Sequence, residues 1–329
     1  MKVIPELLMA YRFKAKESVP EGVRRIVLEE IDSAVALLGN SSGKKFDGAV
    51  HETRKSIKKI RAVLRLLRPE LGKIYRQENS LFRDIGRQLS PLRDAAALLG
   101  VVGRLTENAG SKALGPAAIR KLRSGLRQQK QEIAREFATA KTLARVVSAL
   151  RSARRRVAKW PLKTDGFAAI AGGLEWSYRR GRDSLKNAQK EGDPSSFHDL
   201  RKRVKDYWYQ VRLLESVWTE VMQAHAASLK ELETWLGDDH NLCVLCDKLE
   251  RDPDRFGGRA TVDLVLASIG KLQHDLREKS LSLAHRVYAE KPRITIRNVA
   301  TLWDTWQKEP ASMKAVERTH RKPSTSEAA

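Results

Sequence analysis

The chain has 329 residues, which is enough for two domains of ordinary size or one large domain. Its formal net charge of +23 is far above what solubility requires, and it indicates a partner such as nucleic acid, an anionic membrane or another polyanion. Its two cysteines, Cys243 and Cys246, exclude a disulfide framework and favour a reducing compartment.

Residues 1–10 do not predict a targeting segment. Their short apolar stretch is interrupted by Pro5 and Glu6, and no small-residue cleavage site follows it. Nowhere does the chain contain the roughly 18 uncharged apolar residues that a membrane-spanning helix needs. We therefore expect a cytoplasmic protein that makes no membrane contact.

Helical patterning extends from about Glu21 to Trp306. Apolar residues recur every three or four positions and charged residues fill the gaps, which predicts an all-α chain of about ten helices. A faint strand-like alternation occurs only at Arg293–Val299, where Pro292 indicates a helix start equally well. The tail at 309–329 is rich in Lys, Arg, Ser and Pro and is predicted to be disordered. Breakers separate the predicted helices at Gly39 to Gly43, Pro69, Ser90–Pro91, Gly110 to Pro116, Pro161 to Gly166, Gly192 to Pro194, Gly237, and Phe256 to Gly258.

An internal repeat organises these helices. Val50–Lys58 matches Phe197–Lys205 at an offset of 147 residues, the separation of His51 from His198. The register is kept without a gap as far as Leu98, which matches Leu245. We therefore predict two homologous helical halves, residues 1–160 and 161–308, related by an internal pseudo-twofold.

Each half contains one basic amphipathic helix. On a helical wheel the cations of each helix lie on one side and the apolar residues lie opposite. Cations spaced at three, four and seven residues recur about every 5–6 Å, which suits a linear chain of phosphates. The first stripe consists of His51, Arg54, Lys55, Lys58 and Arg65, and the second stripe consists of His198, Arg201, Lys202, Lys205, Tyr209 and Arg212.

A charged stripe on a helix is usually a solvated face. Solvated faces normally mix signs so that neighbouring turns form ion pairs, whereas these two stripes are of one sign. Acidic residues on neighbouring helices could still pair with them, but a paired network would not explain the net charge of +23. We therefore favour polyanion binding over structural ion pairing.

The pattern His-x-x-Arg-Lys-x-x-Lys, doubled across an all-helical chain, resembles the CHAD domain, the conserved histidine α-helical domain. The resemblance covers about residues 10–308. It implies two antiparallel helical bundles, a basic channel or surface, and binding of inorganic polyphosphate by the stripe residues other than Tyr209. It also implies association with polyphosphate granules and their proteins. Further segments that resemble the family are Tyr11-Arg12 with Glu17 and Gly22–Ile26, Trp235–Asn241, and Tyr288–Pro292 before Leu302-Trp303.

The two halves differ at the edges of the stripes. Lys59 is matched by Asp206, and Arg61 is matched by Trp208, so the second basic helix is less basic. Ser90-Pro91 stands where the second half has Gly237-Asp238. These departures bear on the symmetry of the binding site and leave the predicted fold unchanged.

Other motifs predict neither a metal nor a cofactor. In His51-Glu52-x-x-Lys55 a lysine replaces the second metal-binding histidine, and Gly39–Lys45 is one residue short of a phosphate loop and follows a helix. His240, Cys243 and Cys246 share a helical face, but a closed zinc site needs four ligands. The alternating Glu-x-Glu-x-Lys of the triphosphate tunnel domain fused to some family members is absent from the sequence.

The leading hypothesis is a non-enzymatic polyphosphate-binding protein. The rival binding hypothesis is a nucleic-acid-binding protein, although a nucleic-acid groove would interleave more aromatic residues with its cations. The rival enzyme hypothesis is a phosphohydrolase or polyphosphate kinase, which would normally need an acidic metal clamp. Cations should lower the pKa of His51 and His198 in the free protein and bound phosphate should raise it, so we expect binding to tighten as pH falls through neutrality.

Overall fold

The computed structural model describes residues 11–40, 46–108, 115–139 and 141–309. Within these ranges the chain is helical and contains no strand, which confirms the predicted all-α class. Two short 3₁₀ turns, Glu215–Val217 and Asp254–Phe256, join helices of the second half. The α-helices are α1 Val19–Gly39, α2 Phe46–Leu66, α3 Arg68–Leu71, α4 Lys73–Gln88, α5 Ser90–Asn108, α6 Pro116–Thr139, α7 Thr142–Val157, α8 Ala168–Glu191, α9 Pro194–Leu213, α10 Thr219–Arg251, α11 Arg259–Val287 and α12 Pro292–Lys308.

Several predicted features fall outside the described ranges. They are residues 1–10, residues 41–45 of the glycine-rich segment Gly39–Lys45, and the tail from residue 310 onward. The faint strand pattern at Arg293–Val299 lies inside α12, which begins at Pro292, so the helix interpretation is correct there. None of the helices described is long and apolar enough to cross a membrane.

The order of the helices repeats between the halves. At the offset found in the sequence, α1 corresponds to α8, α2 to α9, α6 to α11 and α7 to α12. The pair α4 and α5 corresponds to the single helix α10, because Pro91 at the start of α5 cannot continue the hydrogen bonding of α4. A twofold rotation between the halves remains a prediction.

Two hydrophobic clusters form the interior, and each draws on both halves of the sequence. The larger cluster contains residues of α1, α2, α4 and α7 together with α8, α9, α12 and the first part of α10. The smaller cluster packs α5 and α6 against α11 and the last part of α10. The boundary between 1–160 and 161–308 therefore does not separate two independent cores.

Local contacts set the positions of the two stripe-bearing helices. Asp193 caps α9, its carboxylate accepting the Ser196 N–H at 2.7 Å, and Pro194 occupies the first turn. The segment before α1 crosses both helices: the Tyr11 hydroxyl donates to the Lys59 carbonyl, and the Phe13 N–H donates to the Leu213 carbonyl. The two helices are thereby held at a defined crossing.

Candidate anion-binding site

Four cations from the two stripes meet where α2 approaches α9. The pKa of Lys58 lies well below its ordinary value, first because the side chain is largely removed from water and then because Lys205, Arg54 and Arg201 repel its charge. Arg54 and Arg201 are equivalent in the repeat, and so are Lys58 and Lys205. We call these four residues the cation cluster.

Lys58 has no acidic partner at close range. Among the residues that the structure describes, no carboxylate lies within 4.0 Å of its ammonium group, and none accepts a hydrogen bond from it. Glu233 is the one acidic group among the five main influences on the pKa of Lys58, and it is the weakest of the five. A partly buried cation surrounded by cations is costly, and a bound anion would offset that cost.

Lys205, in contrast, pairs with Glu233 of α10. This carboxylate is 5% exposed and contacts the Lys205 ammonium, the Lys230 ammonium at 2.7 Å, and the Arg201 guanidinium at 3.9 Å. Burial opposes the charge of Glu233, but Lys205 and Lys230 outweigh that effect and lower its pKa to about 2. Glu233 is therefore ionised across the physiological pH range.

The equivalent place in the first half has no carboxylate, because Gly86 occupies the position that corresponds to Glu233. Nη1 of Arg54 instead donates to the Gly86 carbonyl and to the Ser90 hydroxyl, both at 2.5 Å. These two neutral oxygens help to position Arg54.

The histidines of the two stripes have different surroundings. His198 stacks on His240 of α10 with ring centroids 4.1 Å apart, whereas the side chain of His51 is 44% exposed and lies 3.8 Å from Glu52. Burial lowers the pKa of His198 to about 4, with Lys202 and Arg201 as further causes. The pKa of His240 falls to about 3 for similar reasons. The expected direction is correct for His198, although burial is a larger cause than the cations.

Two stripe lysines do have acidic partners on their own helices. Lys55 lies 2.8 Å from Glu52, and Lys202 lies 2.7 Å from Asp199. Although each stripe is of one sign, ion pairs within the helix therefore do form at these two positions. Both pairs are about half exposed, so they contribute little stability and leave the lysines accessible to an anion.

The C-terminal parts of the stripes do not join the cation cluster. Arg65 is 8% exposed and pairs with Asp206 at 3.1 Å. Arg212 lies over the rings of Tyr11 and Trp208. Tyr209 is 2% exposed, so the prediction that it lies on the cationic surface is wrong.

The physical reason is the packing of α2 against α9. Gln210 donates through Nε2 to the Ala62 carbonyl, and Ala62, the repeat equivalent of Tyr209, is fully buried. Tyr209 meets Tyr11 edge-on, with ring centroids 6.0 Å apart. A helical wheel treats each helix as isolated and therefore cannot show where a second helix covers its polar side.

Comparison with known proteins supports the fold. Residues 35–250 match the CHAD domain family. The chain belongs to this family. Its structure is similar to that of the CHAD domain from the plant Ricinus communis, with a TM-score of 0.60 and 16% identity over 84% of this chain and 94% of that one. No curated protein matches the sequence.

Within this CHAD domain, α10 contributes residues that the repeat alone did not reveal. Lys230 and Glu233 lie one helical turn apart, and His240 lies two turns further along the same helix. Asp238 on that helix pairs with Arg104 of α5 at 2.7 Å. The spacing of Lys230 and Glu233 is visible in the sequence, but their proximity to α9 depends on the tertiary packing.

Both cysteines of the CHAD domain lie half-buried on α10. Cys243 Sγ accepts a hydrogen bond from Gln273 Nε2 at 3.0 Å, and both cysteines are free thiols whose pKa is raised by burial. Over the described ranges, no group of three or more His, Cys, Asp or Glu side chains could hold a metal ion.

Proposed function

We propose that this protein binds inorganic polyphosphate, without turning it over, through the cation cluster. The principal support is Lys58, a partly buried ammonium that faces three cations and has no close carboxylate in the described part of the chain. Phosphate oxygens beside Lys58 would relieve the repulsion among these groups. Family membership supports the same ligand, because the CHAD domain is associated with polyphosphate.

The arrangement suits a chain better than a single anion. Arg54 and Arg201 offer forked donors, while Lys58 and Lys205 offer mobile point charges, so successive phosphates could be held from both helices. The exposed lysines Lys55 and Lys202 and the two stripe histidines extend the surface. We further propose that the protein acts in the cytoplasm at polyphosphate granules, where it would meet granule proteins.

Competition binding tests the choice of ligand. Labelled long-chain polyphosphate should be displaced by unlabelled polyphosphate at a far lower phosphate concentration than by single-stranded DNA or RNA. A polyphosphate-specific site should discriminate in this way, because Tyr209, the only tyrosine, tryptophan or phenylalanine of the two stripes, is buried and cannot stack on bases. Equal displacement would leave a nonspecific cationic surface, and release of orthophosphate over hours would contradict binding without turnover.

Paired charge reversal tests the location. Arg54→Glu with Arg201→Glu should weaken polyphosphate binding strongly and flatten its dependence on salt, because fewer counterions are released. The matched control is Arg145→Glu with Arg286→Glu, which changes the net charge equally at exposed positions of α7 and α11. Equal loss of binding in both double variants would show that binding depends on the net charge of the protein and not on the cation cluster.

A further inference from the structure

We propose that Glu233 is an internal counter-ion that competes with polyphosphate for the cations of the second half and so limits the affinity of the site. This inference rests on the proposed function. It concerns a residue outside both stripes, on α10, and it explains why two homologous halves would contribute unequally to binding.

The contacts of Glu233 are those that a bound phosphate would make. One carboxylate oxygen lies against the Lys205 ammonium and 3.9 Å from Arg201, and the other lies 2.7 Å from the Lys230 ammonium. With 5% of its surface exposed, the side chain is fixed in place between three cations. A phosphate group that approaches Lys205 must therefore share this cation with Glu233 or displace it.

The first half supplies an internal comparison. Gly86 occupies the position equivalent to Glu233, and Lys58, the equivalent of Lys205, has no close carboxylate among the described residues. A Cβ atom at Gly86 would lie 3.5 Å from Ile57 Cγ2, an ordinary contact, so the backbone there accepts a Cβ atom without a clash. Lys58 is thus available to phosphate, whereas its equivalent Lys205 becomes available only in competition with Glu233.

Glu233 also stabilises the folded state, although it is proposed to weaken polyphosphate binding. Without its charge, Lys205, Lys230 and Arg201 would repel one another in a partly buried setting, which destabilises the folded state. Loss of the carboxylate should therefore lower thermal stability and raise polyphosphate affinity together. A residue that merely positioned the cations would lower both quantities when neutralised.

Glu233→Gln is the direct test, with long-chain polyphosphate as the probe. We expect binding about tenfold tighter than in the wild type, and a lower Tm that polyphosphate restores. Glu231→Gln is the matched control, because it makes the same charge change on the exposed opposite face of α10. It should leave both the affinity and the Tm nearly unchanged.

Gly86→Glu is the reciprocal test, and it can be measured even if the Glu233→Gln variant does not fold. A carboxylate at this position should approach Arg54 and Lys58 and weaken polyphosphate binding by about tenfold. Gly is a poor helix former, so the substitution within α4 should not lower the Tm.

The results separate this inference from the proposed function. If the wild type binds polyphosphate but Glu233→Gln binds it equally or more weakly, or Gly86→Glu binds it as the wild type does, the competition role is overturned. If neither the wild type nor any variant binds polyphosphate, the proposed function itself fails.

Discussion

Lys58 and Lys205 occupy equivalent positions in the repeat, but among the described residues a carboxylate, that of Glu233, contacts Lys205 and none contacts Lys58. Lys58 is surrounded by cations, so Lys58→Met should leave the free energy of unfolding unchanged or raise it. Lys205→Met removes the closest partner of the buried Glu233 carboxylate and should lower that free energy by about 1–3 kcal/mol. Urea denaturation at neutral pH and fixed ionic strength measures both changes.

Polyphosphate affinity provides the second measurement on the same two variants. Lys58→Met should weaken binding although the fold is retained, because Lys58 contributes a charge that no carboxylate contacts in the described part of the chain. A Lys58→Met variant that is less stable than Lys205→Met would contradict the electrostatic description of the cluster.

The stacked pair His198 and His240 should make stability depend on pH. The pKa of each is lowered in the folded state, to about 4 and about 3, from an ordinary value near 6.5. Between the folded and the ordinary pKa values, the unfolded chain therefore binds more protons than the folded protein. The contribution of neutral His198 and His240 to the free energy of unfolding is present in full above about pH 6.5 and is lost as pH falls toward 4. Urea midpoints at pH 7 and pH 5 should differ less in His198→Asn with His240→Asn than in the wild type.

The exposed His285 supplies the control for this pH effect, since His285→Asn should retain the pH dependence of the wild type. The pair His198 and His240 also modifies the expected pH dependence of polyphosphate binding. Without ligand the pKa of His198 is about 4. Any proton that His198 takes up on binding is therefore taken up over a pH range that extends well below the neutral range predicted from the sequence. An unchanged pH dependence in the double histidine variant would assign the effect to other groups.

Close approach of helices is the main feature at the scale of the elements. A Cβ atom at Gly173 of α8 would lie 1.9 Å from the Leu66 carbonyl oxygen of α2, so only glycine permits this contact. Gly173→Ala should lower the free energy of unfolding by about 1–3 kcal/mol, because α8 and α2 must separate to make room. It should also weaken polyphosphate binding, because α2 carries Arg54 and Lys58.

The neighbouring residue offers a matched control for that substitution. Gly172 is exposed, and a Cβ atom there would meet only the Pro69 Cγ atom at 3.3 Å. Gly172→Ala should be nearly neutral, since the gain in helix propensity offsets a slight contact. Thermal unfolding of the two variants under one set of conditions distinguishes helix propensity from helix packing, and equal stabilities would contradict the packing argument.

The sequence predicts the individual elements better than the contacts between them. Periodicity places Arg54, Lys58 and their equivalents on one side of each helix because that inference needs only the geometry of a single helix. Arg65 and Tyr209 lie on the same side of the wheel but are buried, because α2 and α9 cover each other beyond Lys58 and Lys205. Glu233 and His240 belong to α10, and their distance to α9 depends on a loop and a helix angle that no periodic pattern specifies.

At the scale of the whole molecule, sequence homology and physical folding units divide the chain differently. The repeat predicts halves at 1–160 and 161–308, yet both hydrophobic clusters combine helices from the two halves. Gln210 of α9 links them in the larger cluster, donating to the Ala62 carbonyl of α2 and to the Ser177 hydroxyl of α8. Such mutual burial is typical of a single cooperative unit.

Separate production of residues 1–160 and 161–308 tests this coupling. Each fragment would expose the apolar faces that the other half covers, so neither should show a cooperative thermal transition alone. Mixing or co-expressing the fragments should restore a cooperative transition and also polyphosphate binding, because the cation cluster takes Arg54 and Lys58 from one fragment and Arg201 and Lys205 from the other. A fragment that unfolds cooperatively by itself, or binds polyphosphate as tightly as the full chain, would show that one half suffices and that the convergence of α2 and α9 is not required.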